Sequence, residues 1–331
     1  MNTEFKAFVV NKTETDFTAD FQKLTLDELP EGDVTIHVSY SSVNYKDGLA
    51  SIPNGKIVRS YPFIPGIDLA GTVVDSKDDR YKEGDEVIVT SYELGVSHYG
   101  GYSEYARVPA EWVVPLPEGL SLQEAMAIGT AGFTAALSVH RLEQNGLKPE
   151  DGPVLVTGAT GGVGSMAVAM LAKRGYTVEA STGKEEAHQF LKKIGAAEVI
   201  SREEVLPEKM RPLDKQRWAA AVDPVGGKTL AAITSKLNYN GAVAVSGLTG
   251  GGDVPAAVFP FILRAVDILG IDSVNYPAGP RKELWQRLAT DLKPDNLADM
   301  ERVISFEELP DSLSSILKGE MTGRTVVKIS E

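Results

Sequence analysis

The sequence predicts an α/β protein in which a doubly wound parallel sheet is joined to a second, β-rich domain. Three observations support this. An apolar run, Val154-Leu-Val-Thr, ends in a glycine-dense turn and continues into a helical pattern with Val168, Leu171 and Ala172 on one face. From Gly152 to about 271, strand-like and helix-like segments alternate, the pattern of crossover connections. Before about 125 the chain is instead a series of short alternating runs separated by turn residues. At 331 residues it is too long for a typical single domain, so two are expected.

The β-rich part opens with a strand over Phe5–Val10. A second runs from Val34 to Tyr40 and ends in a polar break, Ser41-Ser-Val-Asn44-Tyr45-Lys46-Asp47, followed by a short helical turn. Pro65-Gly66 turns the chain into a strand after Asp68, Gly84-Asp85 precedes another, and Gly100-Gly101 a further one. Many short strands with regular turns suggest a partly closed barrel. Ser121 and Glu124 form a capping box that starts a helix running to His140, with the small residues Gly129, Thr130 and Gly132 inside it. Strands are then expected at 153–157, 176–181, 197–200, 219–223, 241–246 and 266–271, with helices at 163–174, 184–194, 227–237 and 258–264. After 272 come an amphipathic helix, Arg281 to Leu292, and a last strand at Arg324, which returns most simply to the first domain. The expected division is therefore 1–125 with 272–331, and 126–271, with a cleft between the halves.

Composition excludes several classes of function. A net charge of −13 argues against a nucleic-acid or anionic-membrane surface. The chain has no cysteine, which removes disulfides, thiol nucleophiles and thiolate–metal sites. The four histidines (His37, His98, His140 and His188) show no ligand spacing, so no metal is expected. The N-terminus reads as a strand, and no apolar run approaches the ~20 residues a bilayer requires. A cytoplasmic protein is expected.

The glycine turn is spelled G-x-x-G-x-x-G at Gly158, Gly161 and Gly164, with Gly162 added. Alone it need only turn the chain. Between the first strand and first helix of a parallel sheet, it is a dinucleotide cradle. Glycine lets a pyrophosphate approach the backbone, and the helix start offers unpaired N–H groups. The second strand ends Glu179-Ala-Ser181-Thr182-Gly183-Lys184. Its only acid, Glu179, lies too deep for a ribose hydroxyl. Ser181, Thr182, Gly183 and Lys184, joined by Arg202 past the third strand, suit a 2′-phosphate, so NADPH is the expected cofactor.

Pro65-Gly66-Ile-Asp68-Leu-Ala-Gly71, Lys82-Glu-Gly84-Asp85 and Gly100-Gly101-Tyr-Ser-Glu-Tyr, with the Gly158–Gly164 turn, resemble the medium-chain dehydrogenase/reductase superfamily across essentially the whole chain. Ser42-Val-Asn44-Tyr45-Lys46-Asp47 and Val156 to Gly164 are similar to its zinc-independent quinone-oxidoreductase branch. Asp272-Ser273-Val and Gly323-Arg324-Thr-Val-Val-Lys resemble the YhdH/YhfP group, which includes acryloyl-CoA reductase. Where the alcohol dehydrogenases of the superfamily carry zinc ligands, this chain has neither Cys nor His.

The resemblance implies a GroES-like catalytic domain beside a Rossmann domain. It implies pyrophosphate contacts at Thr160, Gly161, Gly162 and Val163. It further implies Thr130, Leu248, Ile262 and Ser273 along the path to the nicotinamide, and Arg324 reaching the cofactor. The implied activity is hydride transfer to an activated C=C, most simply a short enoyl-CoA such as acryloyl-CoA. The alternatives are a quinone or enone reductase and a non-enzymatic NADPH-binding structural protein. Tyr45, which matches the family's cofactor-adjacent tyrosine, is implied as a cofactor contact and is the candidate proton donor or orienting group, with Asn44 a candidate amide donor and Asp47 a group that could orient a neighbour. Lys56, Arg59, Arg264, Arg281 and Lys282 are the cations available to a CoA phosphate. An apolar sixth strand at the sheet edge implies a homodimer.

Overall fold

The computed structural model describes residues 3–330. The chain begins with β1 (Glu4–Lys12), β2 (Phe17–Thr25), β3 (Val34–Ser42), α1 (Tyr45–Ala50), β4 (Asp68–Ser76), β5 (Glu86–Thr90), β6 (Tyr105–Val108) and β7 (Val113–Pro115). A long helical stretch, α2 (Leu122–Gln144), is broken at Gly129, whose φ of 50° is not helical. Then follow β8 (Val154–Val156), α3 (Gly162–Lys173), β9 (Val178–Ser181), α4 (His188–Lys193), β10 (Glu198–Ile200), α5 (Arg202–Val205), β11 (Trp218–Asp223), α6 (Gly227–Lys236), β12 (Leu237–Val245), α7 (Phe259–Arg264) and β13 (Asp267–Gly270). The chain closes with α8 (Ala278–Ala289), β14 (Glu301–Ser305), α9 (Leu309–Leu317) and β15 (Arg324–Lys328).

Two compact units result. The first comprises Met1–Thr130, Val274–Ala289 and Glu301–Glu331, and the second Ala131–Ser273 and Thr290–Met300. In the first unit β1 pairs with β2, and a larger sheet runs β14-β15-β3-β4-β5-β7. β3 is flanked by β4 on one edge; on the other it pairs with β6 along 34–37 and with β15 along 40–42. Val34, Ile36 and Val38 alternate into a core shared with Phe8, Val73, Val89 and Val327. The last strand thus closes onto the third, as its position at the end of the chain suggested.

In the second unit the sheet runs β10-β9-β8-β11-β12-β13, all parallel. Strand order moves outward from β8 to β10, then restarts on the other side with β11. The β8/β11 boundary is therefore the topological switch point, beyond whose carboxyl end open α/β sheets bind ligands. All six expected strands are present. β12 starts four residues earlier than expected because its first half, Leu237-Asn-Tyr-Asn240, is polar and precedes a register shift against β11.

The end of the chain corrects one expectation. Residues 290–300 belong with the second unit, not the first. Lys173 Nζ donates to Lys293 O and Asp295, Arg174 pairs with Asp291, and Lys193 pairs with Asp299. Among the described residues no helix is long and apolar enough to cross a membrane.

Candidate functional site

In the second unit, β8 delivers the chain into the turn 157–161 and α3 leaves it. Gly158 takes φ +53°, a left-handed conformation that disfavours a side chain. Gly158 and Gly161 are exposed, while the helix packs hard against the turn: a Cβ on Gly164 would lie 2.3 Å from Gly158 O. Gly161 caps α3 without a side chain, so the first N–H groups of a twelve-residue helix have no side-chain acceptor there. Thr160, Gly162 and Val163 complete the turn. The residues present fit a dinucleotide pyrophosphate.

At the end of β9, Ser181 and Thr182 are buried, and Thr182 Oγ1 accepts from Lys184 N at 3.1 Å. Arg202 lies over Gly183, where a Cβ would sit 2.9 Å from its Nε. Glu179 is committed elsewhere. It accepts from Arg217 Nε at 2.9 Å and Trp218 Nε1 at 2.8 Å. The edge thus gathers hydroxyls, a glycine and two cations, with the acid of β9 tied to the sheet and Glu185 and Glu203 next in the chain to the cations. Thr134 Oγ1 donates to Ser273 Oγ at 2.8 Å, whereas Leu248 and Ile262 are 71% and 68% exposed.

In the first unit, the break after β3 builds a buried polar network. Asp68 opens β4. Its Oδ2 accepts from Ser42 Oγ at 2.6 Å, Asn44 Nδ2 at 2.8 Å and Thr130 N at 3.0 Å, and its Oδ1 accepts from Thr130 Oγ1. Asp47, one turn into α1, accepts from Asn44 N at 2.9 Å and Ile67 N at 2.9 Å. Tyr102 Oη donates to Ser42 O at 3.1 Å. Burial, then the charge of Asp68, pushes the Asp47 carboxyl up to about 7. Burial also pushes the Tyr102 hydroxyl up.

The network brings together four residues picked out in the sequence (Asn44, Asp47, Thr130 and Arg324) and revises two of them. Arg324 is fully enclosed; its guanidinium donates to Ala127 O, Val43 O, Asn44 Oδ1 and Ser42 Oγ. These bonds engage the guanidinium within this unit, so a nucleotide contact from it would have to displace one of them. Asn44 is likewise occupied, its Nδ2 on Asp68 and its Oδ1 on Arg324, so it orders the loop and is not an open donor. Tyr45, the next residue, is 50% exposed and stands outside the network. Asp68 was visible only as part of a turn motif; its central role depends on partners far away in sequence. Of the cations considered for a CoA phosphate, Arg281 is buried against Tyr92, Thr90 and Val274, and Arg264 is bound to Ser235 O and Asp214 O. Both are structural, while Lys56, Arg59 and Lys282 lie nearer the surface.

Two family profiles match the chain: the alcohol dehydrogenase GroES-like domain over residues 30–118, and zinc-binding dehydrogenase over residues 162–290. The residues present do not fit zinc. The chain has no cysteine, and the Asp68 carboxylate is filled by four donors with a guanidinium 4.0 Å away. Among the described residues no group of three or more His, Asp or Glu is arranged to hold a metal.

The chain is 59% identical to the putative quinone oxidoreductase YhfP of Bacillus subtilis, covering 99% of this chain and 100% of that one. It is 50% identical to the acrylyl-CoA reductase AcuI of Ruegeria pomeroyi, covering 98% and 99%. Among solved structures, Bacillus subtilis YhfP with NAD bound superposes with a TM-score of 0.97 at 60% identity, covering 98% and 99%. The YhdH oxidoreductase of Salmonella enterica, in complex with NADP, gives 0.95 at 48% identity, covering 98% and 100%. With both family domains in order and these relatives matched over nearly their full length, the chain belongs to the medium-chain dehydrogenase/reductase family of oxidoreductases, in its YhdH/YhfP group.

Proposed function

We propose that this protein is an NADPH-dependent reductase of an activated C=C bond, and that its substrate is a short enoyl-CoA of the acryloyl-CoA type. The observation that carries the cofactor reading is the β9 edge, where Lys184 and Arg202 flank Gly183 while Glu179 is held by Arg217 and Trp218. The carboxylate of the strand itself is thereby engaged within the sheet. The substrate reading is supported by two acrylyl-CoA reductase relatives at 50% identity, one of them from Ruegeria pomeroyi.

Bound NADPH supplies the hydride for the β-carbon of the enoyl-thioester. The residues of the chain supply the rest. Gly158, Thr160, Gly161, Gly162, Val163 and Gly164 hold the pyrophosphate. Ser181, Thr182, Gly183, Lys184 and Arg202 hold the 2′-phosphate. Leu248, Ile262 and Ser273 are assigned to the nicotinamide side, with Thr130. Tyr45 Oη is assigned as the proton donor to the α-carbon, because its hydroxyl is accessible and its backbone follows a residue locked by Asp68 and Asp47. Zinc has no part in this reading.

A quinone substrate is the second reading, favoured by the 59% identity to a putative quinone oxidoreductase. The deciding experiment follows NADPH oxidation with acryloyl-CoA, crotonyl-CoA and small quinones. Turnover of acryloyl-CoA well above the quinones supports the first reading and the reverse ratio the second. NADPH binding with no turnover of any of them returns the protein to a structural role.

We also propose a homodimer in the cytoplasm. β13 is the free edge of the six-stranded sheet, and Ile268 on it is exposed. Val258, Phe259 and Leu263 on and beside α7 are exposed apolar residues just before that edge in the chain. A second copy pairing there would cover both. Sedimentation as a 35.5 kDa species contradicts this.

A further inference from the structure

Asp223 is the last residue of β11, on the inner side of the switch point, and it is completely buried. The reaction described above does not use it. Its carboxylate nevertheless joins segments from both halves of the sheet. Oδ1 accepts from Thr157 Oγ1, on the residue immediately before Gly158, and from Val225 N at 3.0 Å. Oδ2 accepts from Gly226 N at 3.0 Å. Its backbone carbonyl accepts from Ser246 N at 3.1 Å, at the end of β12.

The segments so joined touch through their backbones. Gly250 N donates to Val225 O at 2.8 Å. A Cβ on Gly247 would lie 2.1 Å from Pro224 O, and one on Gly226 would lie 2.7 Å from Gly247 O. A Cβ on Gly158 would lie 3.4 Å from Pro224 Cγ and from Val225 Cγ2. The turn after β11 is therefore wedged between the glycine turn after β8 and the loop that carries Leu248. The buried carboxylate ties the turn to Thr157 on one side and holds the amides of 225 and 226, while backbone bonds join it to the Gly247–Gly251 side.

We infer that Asp223 is a positioning residue for the dinucleotide: through Thr157 and the 225–226 amides it fixes the spacing between the Gly158 turn and the Gly247–Gly251 loop. The inference rests on the nucleotide-binding reading above. A carboxylate suits the task because all three groups facing it are donors. An asparagine keeps the shape but turns one donor toward another, so Asp223→Asn unlocks one contact without opening a cavity. Thr157→Val removes only the side-chain link across the switch point, leaving the bond from Thr157 N to Val222 O, and Thr157→Ser keeps both.

The test measures NADPH dissociation constants by nucleotide fluorescence and by calorimetry on wild type, Asp223→Asn, Thr157→Val and Thr157→Ser, together with KM and kcat. The expected result is an affinity loss of about tenfold for Asp223→Asn and Thr157→Val, the scale of one hydrogen bond. Thr157→Ser stays near wild type, and kcat at saturating NADPH stays within about threefold. If Asp223→Asn fails to fold, the Thr157 pair carries the test. Wild-type affinity in Asp223→Asn and Thr157→Val overturns the inference, as does an equal loss in Thr157→Ser. Wild-type protein that binds no NADPH overturns the nucleotide reading itself, and this inference with it.

Discussion

Arg324 Nη2 lies 4.0 Å from Asp68 Oδ2, and Ser42 Oγ stands between them, accepting from the guanidinium at 2.9 Å and donating to the carboxylate at 2.6 Å. Both charged groups are buried, at 3% and 0% exposure. A charge taken from water this completely persists only where its neighbours replace the lost hydration. Arg324 obtains that from two backbone carbonyls, an amide oxygen and a hydroxyl, in addition to the nearby carboxylates. The arrangement ties β15, β3, the start of α1 and the break in α2 together at one point.

Removing the cation leaves Asp68 without its nearby positive charge in a dry site. Arg324→Gln should therefore cost about 3–5 kcal/mol of stability, the scale for breaking a buried pair. Chemical denaturation followed by circular dichroism measures it. A variant with wild-type stability but weakened NADPH binding would restore the sequence-based assignment of Arg324 to the cofactor.

Gly129 fits the same network from the other side. Its φ is +50°, and a Cβ there would lie 2.7 Å from Asp68 Oδ2, 2.8 Å from Arg324 Nη2 and 2.8 Å from Ser42 Oγ. Gly129→Ala combines backbone strain with a methyl group forced among three buried polar atoms, for a loss of about 3 kcal/mol or more. Gly84→Ala is the control. It has φ +92° but nothing within 4 Å, so it loses only about 1 kcal/mol from strain. Equal losses at the two positions would mean that the network has room to yield.

These two glycines show what the sequence could and could not reveal. Turn glycines and alternating strands are local signals, so the six-stranded sheet, and the Gly158 turn between its first strand and helix, were legible in the sequence. Gly129 read as one small residue among several in a helix, because nothing nearby in the chain indicates that three polar atoms crowd it. Asp68 read as part of a turn for the same reason. Its partners Ser42, Asn44 and Thr130 lie 26, 24 and 62 residues away, and Arg324 meets Ser42 across 282. Arg324 at the nucleotide is what the resemblance implies, and only the folded strand pairing shows its side chain enclosed. β14 was missed as well, because its residues are mostly exposed; α9 does carry an apolar stripe, Leu309, Leu313 and Ile316, but it is short and has a proline in its first turn.

Asp47 makes stability depend on pH in an unusual direction. Burial and the neighbouring charge of Asp68 push its carboxyl up to about 7 in the folded protein, from the ordinary aspartate value of 3.8. Between those values the folded chain keeps a proton that the unfolded chain has released. Its contribution is therefore fully present below about 3.8 and declines as pH rises to about 7. The groups facing it are Asp68, Tyr102 and Arg324, with Asn44 and Ile67 N as donors. Asp47→Asn removes this dependence. Thermal melts from pH 4.5 to 8 should show the variant gaining on wild type as pH rises; a constant difference would place the ionisation outside this window.

Lys184 and Arg202 should separate the two nicotinamide nucleotides. Lys184→Ala and Arg202→Ala each remove a charge-assisted contact from the 2′-phosphate, so KM for NADPH should rise about tenfold or more. KM for NADH, which lacks that phosphate, should change by less than about twofold. The contrast matters because the Bacillus subtilis neighbour holds NAD and the Salmonella enterica neighbour NADP. Equal catalytic efficiency of the wild-type protein with both nucleotides would remove the phosphate assignment.

Tyr45 follows the locked Asn44 directly, yet its own side chain makes no hydrogen bond among the described residues and is half exposed. A hydroxyl held at a fixed backbone position but left unengaged is suited to donating a proton to a substrate. Tyr45→Phe should leave the fold and its melting temperature unchanged and lower kcat by about a hundredfold, the lower end of general-acid contributions. A tyrosine that only walls the nicotinamide side predicts a different split, with NADPH affinity reduced and kcat preserved. The solvent isotope effect separates the two further. Proton donation in the rate-limiting step gives a normal effect on wild-type kcat, whereas a wall residue leaves the effect the same in wild type and variant. Unchanged turnover in Tyr45→Phe removes it from the chemistry and leaves protonation of the α-carbon to water or to another side chain.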